Sequence, residues 1–316
     1  MLPQTEKTDL KGIMYATQAY VAWGILPIYW KFLKDIPATE ILTHRILWSL
    51  VFIIGYLWFT SGLHFMHLLK NPKTRYAMVV SSILVSGNWG LYIYAVNSGH
   101  IIEASLGYYI NPLVSIFLGM VVLKERLSLL KKIALVIACI GVVIMTVRFG
   151  RFPWMGLTLA FSFAIYSLIK KTTHAGSMES LAAETILTGP IALGFIVFWE
   201  INHTGHFFSF GIPSTVMLIL AGVATTMPLF WFSQAAKRIP LSSIGFLQYM
   251  SPTLSLLLGV FLYGEKFTSD YAVGFIFIWI ALIIYTYSLL KPTRYFILAF
   301  NFIANREKNK SESKPV

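Results

Sequence analysis

Long uncharged stretches recur along the whole chain, separated by short clusters of lysine, arginine, aspartate and glutamate. A helix needs about 20 mostly apolar residues to cross a hydrocarbon core of about 30 Å. By that criterion the pattern predicts an all-α polytopic membrane protein with ten transmembrane helices, of which the fifth and the seventh have the shortest uncharged cores. The predicted spans are residues 12–32, 41–61, 76–97, 103–123, 129–147, 153–170, 178–200, 214–236, 241–263 and 271–290.

The composition excludes most other classes of protein. Of the 316 residues 57% are apolar and 12% are charged, and the mean hydropathy is +0.70, whereas soluble domains are about 45–50% apolar and about 25% charged. A net charge of +12 raises the question of nucleic acid, but no basic helix, zinc spacing or stacking motif accompanies it. The single cysteine, Cys139, lies in an apolar run, so we expect no disulfide, no metal and no cofactor.

The distribution of lysine and arginine predicts the orientation in the membrane. With the amino terminus inside, 19 of the 25 lie on the inner side, five lie on the outer side, and Arg45 lies within a span. This asymmetry is the positive-inside pattern of a protein with both termini in the cytoplasm. Residues 291–316 form a basic tail, and its apolar stretch 293–304 is too short to cross. We expect an interfacial helix leaning on anionic lipid there, with disorder as the alternative.

The chain resembles itself at an offset of 140 residues. Nine identities fall between 109–146 and 249–286, and they include Tyr, Pro, Gly and Glu as well as apolar residues. The chain therefore divides into two units of five spans, 1–148 and 149–290. Because five is odd, the second unit enters the membrane from the opposite face, and such inverted repeats typically place a substrate site near the midplane and operate by alternating access. A duplicated scaffold without transport is the alternative interpretation.

Polar residues inside the spans indicate where a substrate cavity would lie. Pro112 and Pro252 are expected to kink the fourth and ninth spans, and a carbonyl left without its partner is tolerated only inside protein or beside water. Buried amides in hydrocarbon are costly, whereas each aromatic residue has lipid contact or packing as an equal alternative. The predicted cavity residues are Gln18, Trp23, Asn88, Trp89, Tyr92, Tyr108, Asn111, Phe230, Gln234, Gln248 and Ser251.

Three charged residues within the spans are candidates for gating or coupling. Arg45 and Glu103 lie at a similar depth near the outer face, which suggests an ion pair that is either a gate or a structural lock. Glu184 lies near the inner face and is a candidate for proton coupling, with snorkelling or pairing as the alternative. Glu125 and Glu265 lie at helix ends, where we expect each to cap the helix that follows.

Several long motifs resemble a known family. The motifs include EILTHRILWS (40–49), GNWGLYIYAVN (87–97), EASLGYYINPL (103–113) and GFLQYMSPTLSLLLGVFLYGEK (245–266). They closely resemble the RarD group of EamA-type transporters in the drug/metabolite transporter superfamily, and the resemblance extends over about residues 10–290. It implies ten helices in two inverted EamA repeats in the bacterial inner membrane. The customary label of the group, chloramphenicol-sensitive protein, suggests an antibiotic or metabolite as substrate.

The leading hypothesis is a secondary-active, proton-coupled exporter of a small organic solute, in contact with membrane lipid and capable of forming a homodimer. Small multidrug relatives couple to protons through a glutamate in their first helix, but residues 12–30 contain no carboxylate, so that mechanism does not carry over. The alternative is an intramembrane lipid-modifying enzyme, yet the sequence contains no HExxH, GxSxG or phosphate-binding loop. A channel is disfavoured because no charge ring or carbonyl filter is evident.

Overall fold

The computed structural model describes residues 9–60, 66–67, 70–98, 100–264 and 269–290. The tail from residue 291 and Glu265 lie outside the described residues. The described helices are α1 (Leu10–Lys31), α2 (Ala38–Thr60), α3 (Pro72–Asn97), α4 (Ile101–Val121), α5 (Leu129–Phe149), α6 (Trp154–Thr172), α7 (Ser177–Ile201), α8 (Gly211–Arg238), α9 (Leu241–Gln248), α10 (Met250–Tyr263) and α11 (Ser269–Leu290).

Eight stretches of the described chain are long and apolar enough to cross a membrane. They include α5 and α7, which had the shortest uncharged cores, and one of them, Leu241–Tyr263, comprises both α9 and α10. The helices α1 and α6 fall below the criterion because α1 carries several tyrosines and tryptophans together with Gln18, and α6 ends in Lys170 and Lys171. The all-helical, multi-pass class is confirmed, while the total of ten spans stays a prediction.

The two midspan prolines have different effects on their helices. The α-helical hydrogen-bond pattern is interrupted at Tyr249, three residues before Pro252. The backbone of Tyr249 keeps right-handed helical dihedral angles, and its N–H bonds the Phe246 carbonyl at 3.3 Å. A proline removes one helical donor and its ring crowds the preceding turn, which explains the interruption. By contrast, α4 continues as one helix through Pro112. The helical hydrogen-bond pattern is thus interrupted near the second proline and continuous through the first, and the kinks expected at Pro112 and Pro252 stay predictions.

The helix pairs show an exchange symmetry. The helix α1 packs on α8 and α10, and correspondingly α6 packs on α3 and α4. The helix α2 packs on α7 and α8, and α7 in turn packs on α3, while the pairs α5 with α11 and α4 with α9 map onto themselves. Exchanging α1–α5 for α6–α11 thus reproduces these contacts, and the space between the two groups of helices lies at the centre of the bundle.

Small residues allow the closest of these contacts. A Cβ atom on Gly12 would come within 2.5 Å of Ile239 Cγ2 and 2.8 Å of Arg238 Cβ, where the start of α1 meets the end of α8. In the same way, a Cβ on Gly107 of α4 would be 2.7 Å from the carbonyl oxygen of Gly156 in α6. In membranes such small residues let helices pack at backbone distance, so these glycines set the spacing around the centre.

Candidate functional site

A cavity of about 800 Å³ lies at the centre of the bundle. Its wall is built from α1, α2, α3, α4, α6, α8, α9, α10 and α11 and is mostly aromatic and aliphatic, with a few amides and hydroxyls. Ligand sites in proteins typically combine such an apolar wall with a small number of polar anchors. The volume is within the range of about 300–1,000 Å³ that is usual for small organic ligands.

The structure brings most of the predicted cavity residues together. Eight of the eleven line the wall, as do Pro252 and Arg45: they are Trp23, Asn88, Trp89, Tyr92, Tyr108, Asn111, Gln248 and Ser251. The wall also contains Tyr20 and Trp30, which were not among the predicted cavity residues.

Three predicted residues lie outside the wall. Gln18 is exposed on α1, and at about 100° per residue it is about 200° away from Tyr20, which lines the cavity. Leu229 is the residue of α8 that reaches the cavity, and Phe230 and Gln234 point about 100° and about 140° away from it around the helix axis. Placing these three in the cavity was wrong, because the rotation of a helix about its axis depends on its neighbours.

Arg45 is the one charged side chain that the described residues contribute to the cavity wall. Its guanidinium carbon lies 4.7 Å from the ring centroid of Trp30 and 5.0 Å from that of Trp89. Its Nε donates a hydrogen bond to Thr225 Oγ1 at 2.9 Å. The cation is therefore positioned by two aromatic faces and one hydroxyl.

Glu103 does not pair with Arg45, so that expectation was wrong. The Glu103 Oε1 atom accepts a hydrogen bond of 2.7 Å from the Met155 N–H in the first turn of α6, and the side chain is buried. The first N–H groups of a helix lack partners within the helix and carry partial positive charge, and Pro153 at the N-cap makes no side-chain hydrogen bond. The carboxylate therefore joins α4 to α6 and has no contact with the guanidinium.

Glu184 is buried and paired with a lysine. Its Oε1 lies 2.7 Å from Lys170 Nζ and accepts a hydrogen bond from Ser81 Oγ at 2.5 Å, and Tyr166 OH approaches Oε2 at 3.4 Å. Lys170, one of the 19 cations assigned to the inner side, is buried, with only 1% of it exposed. A double lysine at a helix end indicates orientation, and nothing in the local sequence shows that the first of the two turns inward.

Hydroxyl groups surround a small pocket beside Glu184. The pocket has a volume of about 20 Å³, the size of one water molecule, and lies between α2, α3, α7 and α8. Thr225, whose hydroxyl accepts from Arg45, lines it from one side and Glu184 from another. The neighbouring Thr226 Oγ1 is buried without a hydrogen-bond partner. A row of polar groups thus connects the anchor of the cavity cation with the buried ion pair.

Glu125 joins the two groups of helices at the end where α1 begins. Its Oε1 accepts from the Leu241 N–H at 2.6 Å and its Oε2 from the Ser242 N–H at 2.9 Å, which caps α9. The expectation that it caps the following helix was wrong: Ser128 caps α5. The reason is local, since α9 is preceded by Pro240, which has no side-chain cap to offer.

Further polar contacts tie the same end together. Lys171 Nζ donates to the carbonyls of Ala236 and Ile239 at 3.2 and 2.7 Å, and Lys237 Nζ donates to the Ala175 carbonyl. Asp9 and Arg238 form an ion pair of 3.6 Å. The hydrogen bond from the Gly12 N–H lowers the pKa of Asp9. We call this the bridged end, defined by Asp9, Glu125, Lys171, Lys237 and Arg238.

Comparison with known proteins identifies the family. The EamA-like transporter family matches the chain twice, over residues 10–147 and 153–287. The chain is a RarD-type member of the EamA-like transporter family. It is 44% identical over 291 residues to the uncharacterized transporter YojE of Bacillus subtilis, covering 90% of this chain and 96% of that protein. It is 40% identical over 289 residues to protein RarD of Escherichia coli K12, covering 91% and 98%.

A solved structure supports the same fold. A crystal structure superposes on this transporter with a TM-score of 0.69, covering 89% of this chain and 99% of the other at 16% sequence identity. At that identity the likeness concerns the fold alone. Together with the family names, the apolar helices make the chain a multi-pass membrane transporter.

The cavity of this transporter extends from the centre toward one end only. Its lining includes the second half of α1 from Tyr20 to Trp30, the start of α2 at Ala38, and Val260 near the end of α10. All of these lie toward the end where α1 finishes and α2 begins, which we call the cavity end. The opposite, bridged end carries the cross-helix contacts described above.

One polar joint at the cavity end was missed in the sequence. Glu40, which is buried, accepts hydrogen bonds from the N–H of His206 at 2.6 Å and from its Nδ1 at 2.7 Å. A carboxylate directly before an apolar run and a histidine in the loop before α8 were the available signals. Neither lies within a predicted span core, so neither qualified as an intramembrane charge.

Proposed function

We propose that this transporter is a secondary-active carrier that exports a small organic solute from bacteria by alternating access, driven by the proton gradient. The observation that carries the proposal is the central cavity, which extends to one end while the other end is bridged. A carrier must close one side of its site while the other is accessible. A continuous pore would lack such a bridged end.

The repeat supports the rocking motion that alternating access requires. The family matches once in each half of the chain, and the exchange of α1–α5 for α6–α11 reproduces the helix pairs. We propose that the halves are inverted and that both termini are cytoplasmic in the inner membrane, as the lysine and arginine distribution predicts. The cavity end then faces outward, and the bridged end closes the cytoplasmic side.

We place the proton site at Glu184. Its carboxylate lies 2.7 Å from the ammonium group of Lys170, and uptake of a proton there would remove the attraction that holds Lys170. The hydroxyl pocket beside Glu184 extends to Thr225, which anchors the cavity cation Arg45. Proton uptake at Glu184 and solute binding in the cavity thereby act on neighbouring contacts between α2, α3, α7 and α8.

Flux measurements in proteoliposomes test this function. The purified chain is reconstituted, a pH gradient is imposed, and movement of a panel of amphiphilic organic solutes, including chloramphenicol, is recorded. Gln248→Ala should lower transport about tenfold, because a lost hydrogen bond of about 1.5 kcal/mol is about tenfold in a rate or equilibrium. Gln234→Ala, the same change in a span but outside the cavity, is the matched control and should leave transport unchanged.

The coupling is tested in the same vesicles. Glu184→Gln should remove the dependence on the pH gradient, whereas Glu200→Gln at the far end of α7 should preserve it. Gradient-dependent transport in Glu184→Gln would contradict the assignment of the proton site. Equal losses in Gln248→Ala and Gln234→Ala, or no solute moved by the wild type, would contradict the cavity as the transport site.

A further inference from the structure

The guanidinium of Arg45 has most of its hydrogen-bond donors unused. A guanidinium carries five N–H groups in a rigid planar fork. The one hydrogen bond that the described residues accept from Arg45 is made by Nε to Thr225 Oγ1. The four N–H groups of the two terminal nitrogens therefore have no protein acceptor among the described residues, although the side chain lies in the cavity wall.

No described carboxylate forms an ion pair with this cation. Glu103 is bound by the N–H of Met155, Glu184 by Lys170, and Glu40 by His206. Among the described wall residues, Arg45 is the one that carries a charge at neutral pH, and none is an aspartate or a glutamate. An unneutralised cation within a membrane protein is costly unless a functional partner compensates it, so the cavity favours an anion.

The two tryptophans fix the orientation in which Arg45 meets that anion. Trp30 and Trp89 lie 4.7 and 5.0 Å from the guanidinium carbon, a distance at which ring faces attract the cation. Ring faces engage a guanidinium without accepting its in-plane N–H groups. The fork remains available for the bidentate contact that arginine makes with a carboxylate or phosphate.

A second polar atom in the wall indicates which other group the ligand carries. Gln248 Oε1 is buried in the wall and has no hydrogen-bond partner, which leaves an acceptor that requires a donor. Aromatic rings occupy much of the surrounding surface, among them Trp23, Tyr92 and Tyr108. The wall is thus complementary to an apolar or aromatic body that carries an oxyanion and an N–H or O–H group.

We propose that the solute of this transporter is an amphiphilic organic anion whose carboxylate or phosphate is held by the fork of Arg45. The apolar body lies among the aromatic side chains, and a donor group of the solute meets Gln248 Oε1. This assignment rests on the proposed transport function and adds the chemical class of its substrate.

Binding of a matched series to the full chain in phosphatidylcholine nanodiscs tests the class. Isothermal titration compares indole-3-propionate with the alcohol and the amine that have the same indole ring and three-carbon chain, and with the phosphate ester of that alcohol. We expect the carboxylate or the phosphate to bind at least about tenfold more tightly than the alcohol, the value of one charge-assisted hydrogen bond. The amine should bind most weakly. Equal affinities, tightest binding of the amine, or no binding of either anion would overturn the proposal.

Variants assign the effect to the guanidinium. Arg45→Gln should lose at least about tenfold in affinity for the anion while the alcohol binds as before, which also shows that the cavity remains folded. Arg45→Lys keeps the charge without the planar fork and should lose part of the affinity. Arg151→Gln, the same substitution at an exposed residue outside the cavity, is the control. An Arg45→Gln protein that weakens alcohol and anion equally would overturn the proposal.

One further comparison distinguishes a free anionic solute from a lipid headgroup, and a second distinguishes failure of the anion site from failure of the transport function. Adding phosphatidylglycerol to the nanodiscs should leave the affinity for indole-3-propionate unchanged; displacement by that lipid would assign the site to a lipid headgroup and overturn a solute site. Anion binding that depends on Arg45 but without flux in proteoliposomes would refute transport and preserve the anion site. Flux of solutes without any preference for anions would refute the anion site and preserve the transport function.

Discussion

The two ends of the bundle use charged side chains differently. At the bridged end Glu125, Lys171 and Lys237 each bind backbone groups of another helix or loop. At the cavity end the carboxylates of Glu103 and Glu40 are also engaged, but Arg45 holds a single hydrogen bond. Buried polar groups in proteins are almost always paired. The charged groups with bound partners therefore join parts of the scaffold, whereas Arg45, with most of its donors unbound by described residues, is the group on which the proposed anion site rests.

The largest expected loss of stability follows from leaving a buried charge unpaired near the bridged end. Lys170→Met removes the partner of Glu184, and loss of one member of a buried pair typically costs about 3–5 kcal/mol. We expect a correspondingly lower melting temperature in detergent. The double variant Lys170→Met with Glu184→Gln removes both charges and should recover much of the loss. A single variant as stable as the wild type would contradict the buried pairing.

A smaller effect is expected from forcing the helices apart at the bridged end. Gly12→Ala places a Cβ atom within 2.8 Å of Arg238 Cβ, and overpacking of this kind costs about 1–3 kcal/mol. Gly87→Ala in α3 is the matched control, because no atom lies within 4 Å of its added Cβ. Thermal unfolding of the two variants should separate them, and equal melting temperatures would show that α1 and α8 are not in tight contact there.

The smallest expected effect is local loosening of a helix start after removal of either capping glutamate, one at each end of the bundle. Glu125→Gln and Glu103→Gln each remove a carboxylate from a helix N-terminus, a loss of about 1 kcal/mol. Hydrogen exchange measured by mass spectrometry should accelerate at the start of α9 in the first variant and at the start of α6 in the second. Acceleration at both sites in either variant would indicate general loosening and contradict two separate joints.

Much of the secondary structure could be predicted from the pattern of charges. The predicted span 129–147 corresponds to α5, Leu129–Phe149, and 178–200 corresponds to α7, Ser177–Ile201. A segment in hydrocarbon must satisfy its own backbone hydrogen bonds and therefore forms a helix. Length and polarity suffice for this prediction because the constraint acts on each segment separately.

The partners of the charged residues could not be predicted in the same way. Arg45 and Glu103 have similar depth, yet the carboxylate is bound by the start of α6 and the guanidinium by Thr225 of α8. Glu125 is three residues from the N-cap of α5 and nevertheless caps α9, which is 116 residues away. Depth follows from position along a span, whereas a partner follows from which helices are neighbours.

The sequence by itself determined the all-helical membrane class, the family and the residue types available to a cavity. Only the tertiary structure decided that Gln248 faces that cavity while Gln18 faces outward, and that Lys170 turns inward while Lys171 reaches the end of α8. The physical reason is that the rotation of a helix and the choice of its neighbours are set by packing between segments far apart in the chain. Local hydrophobicity constrains neither when nearly every face of a span is apolar.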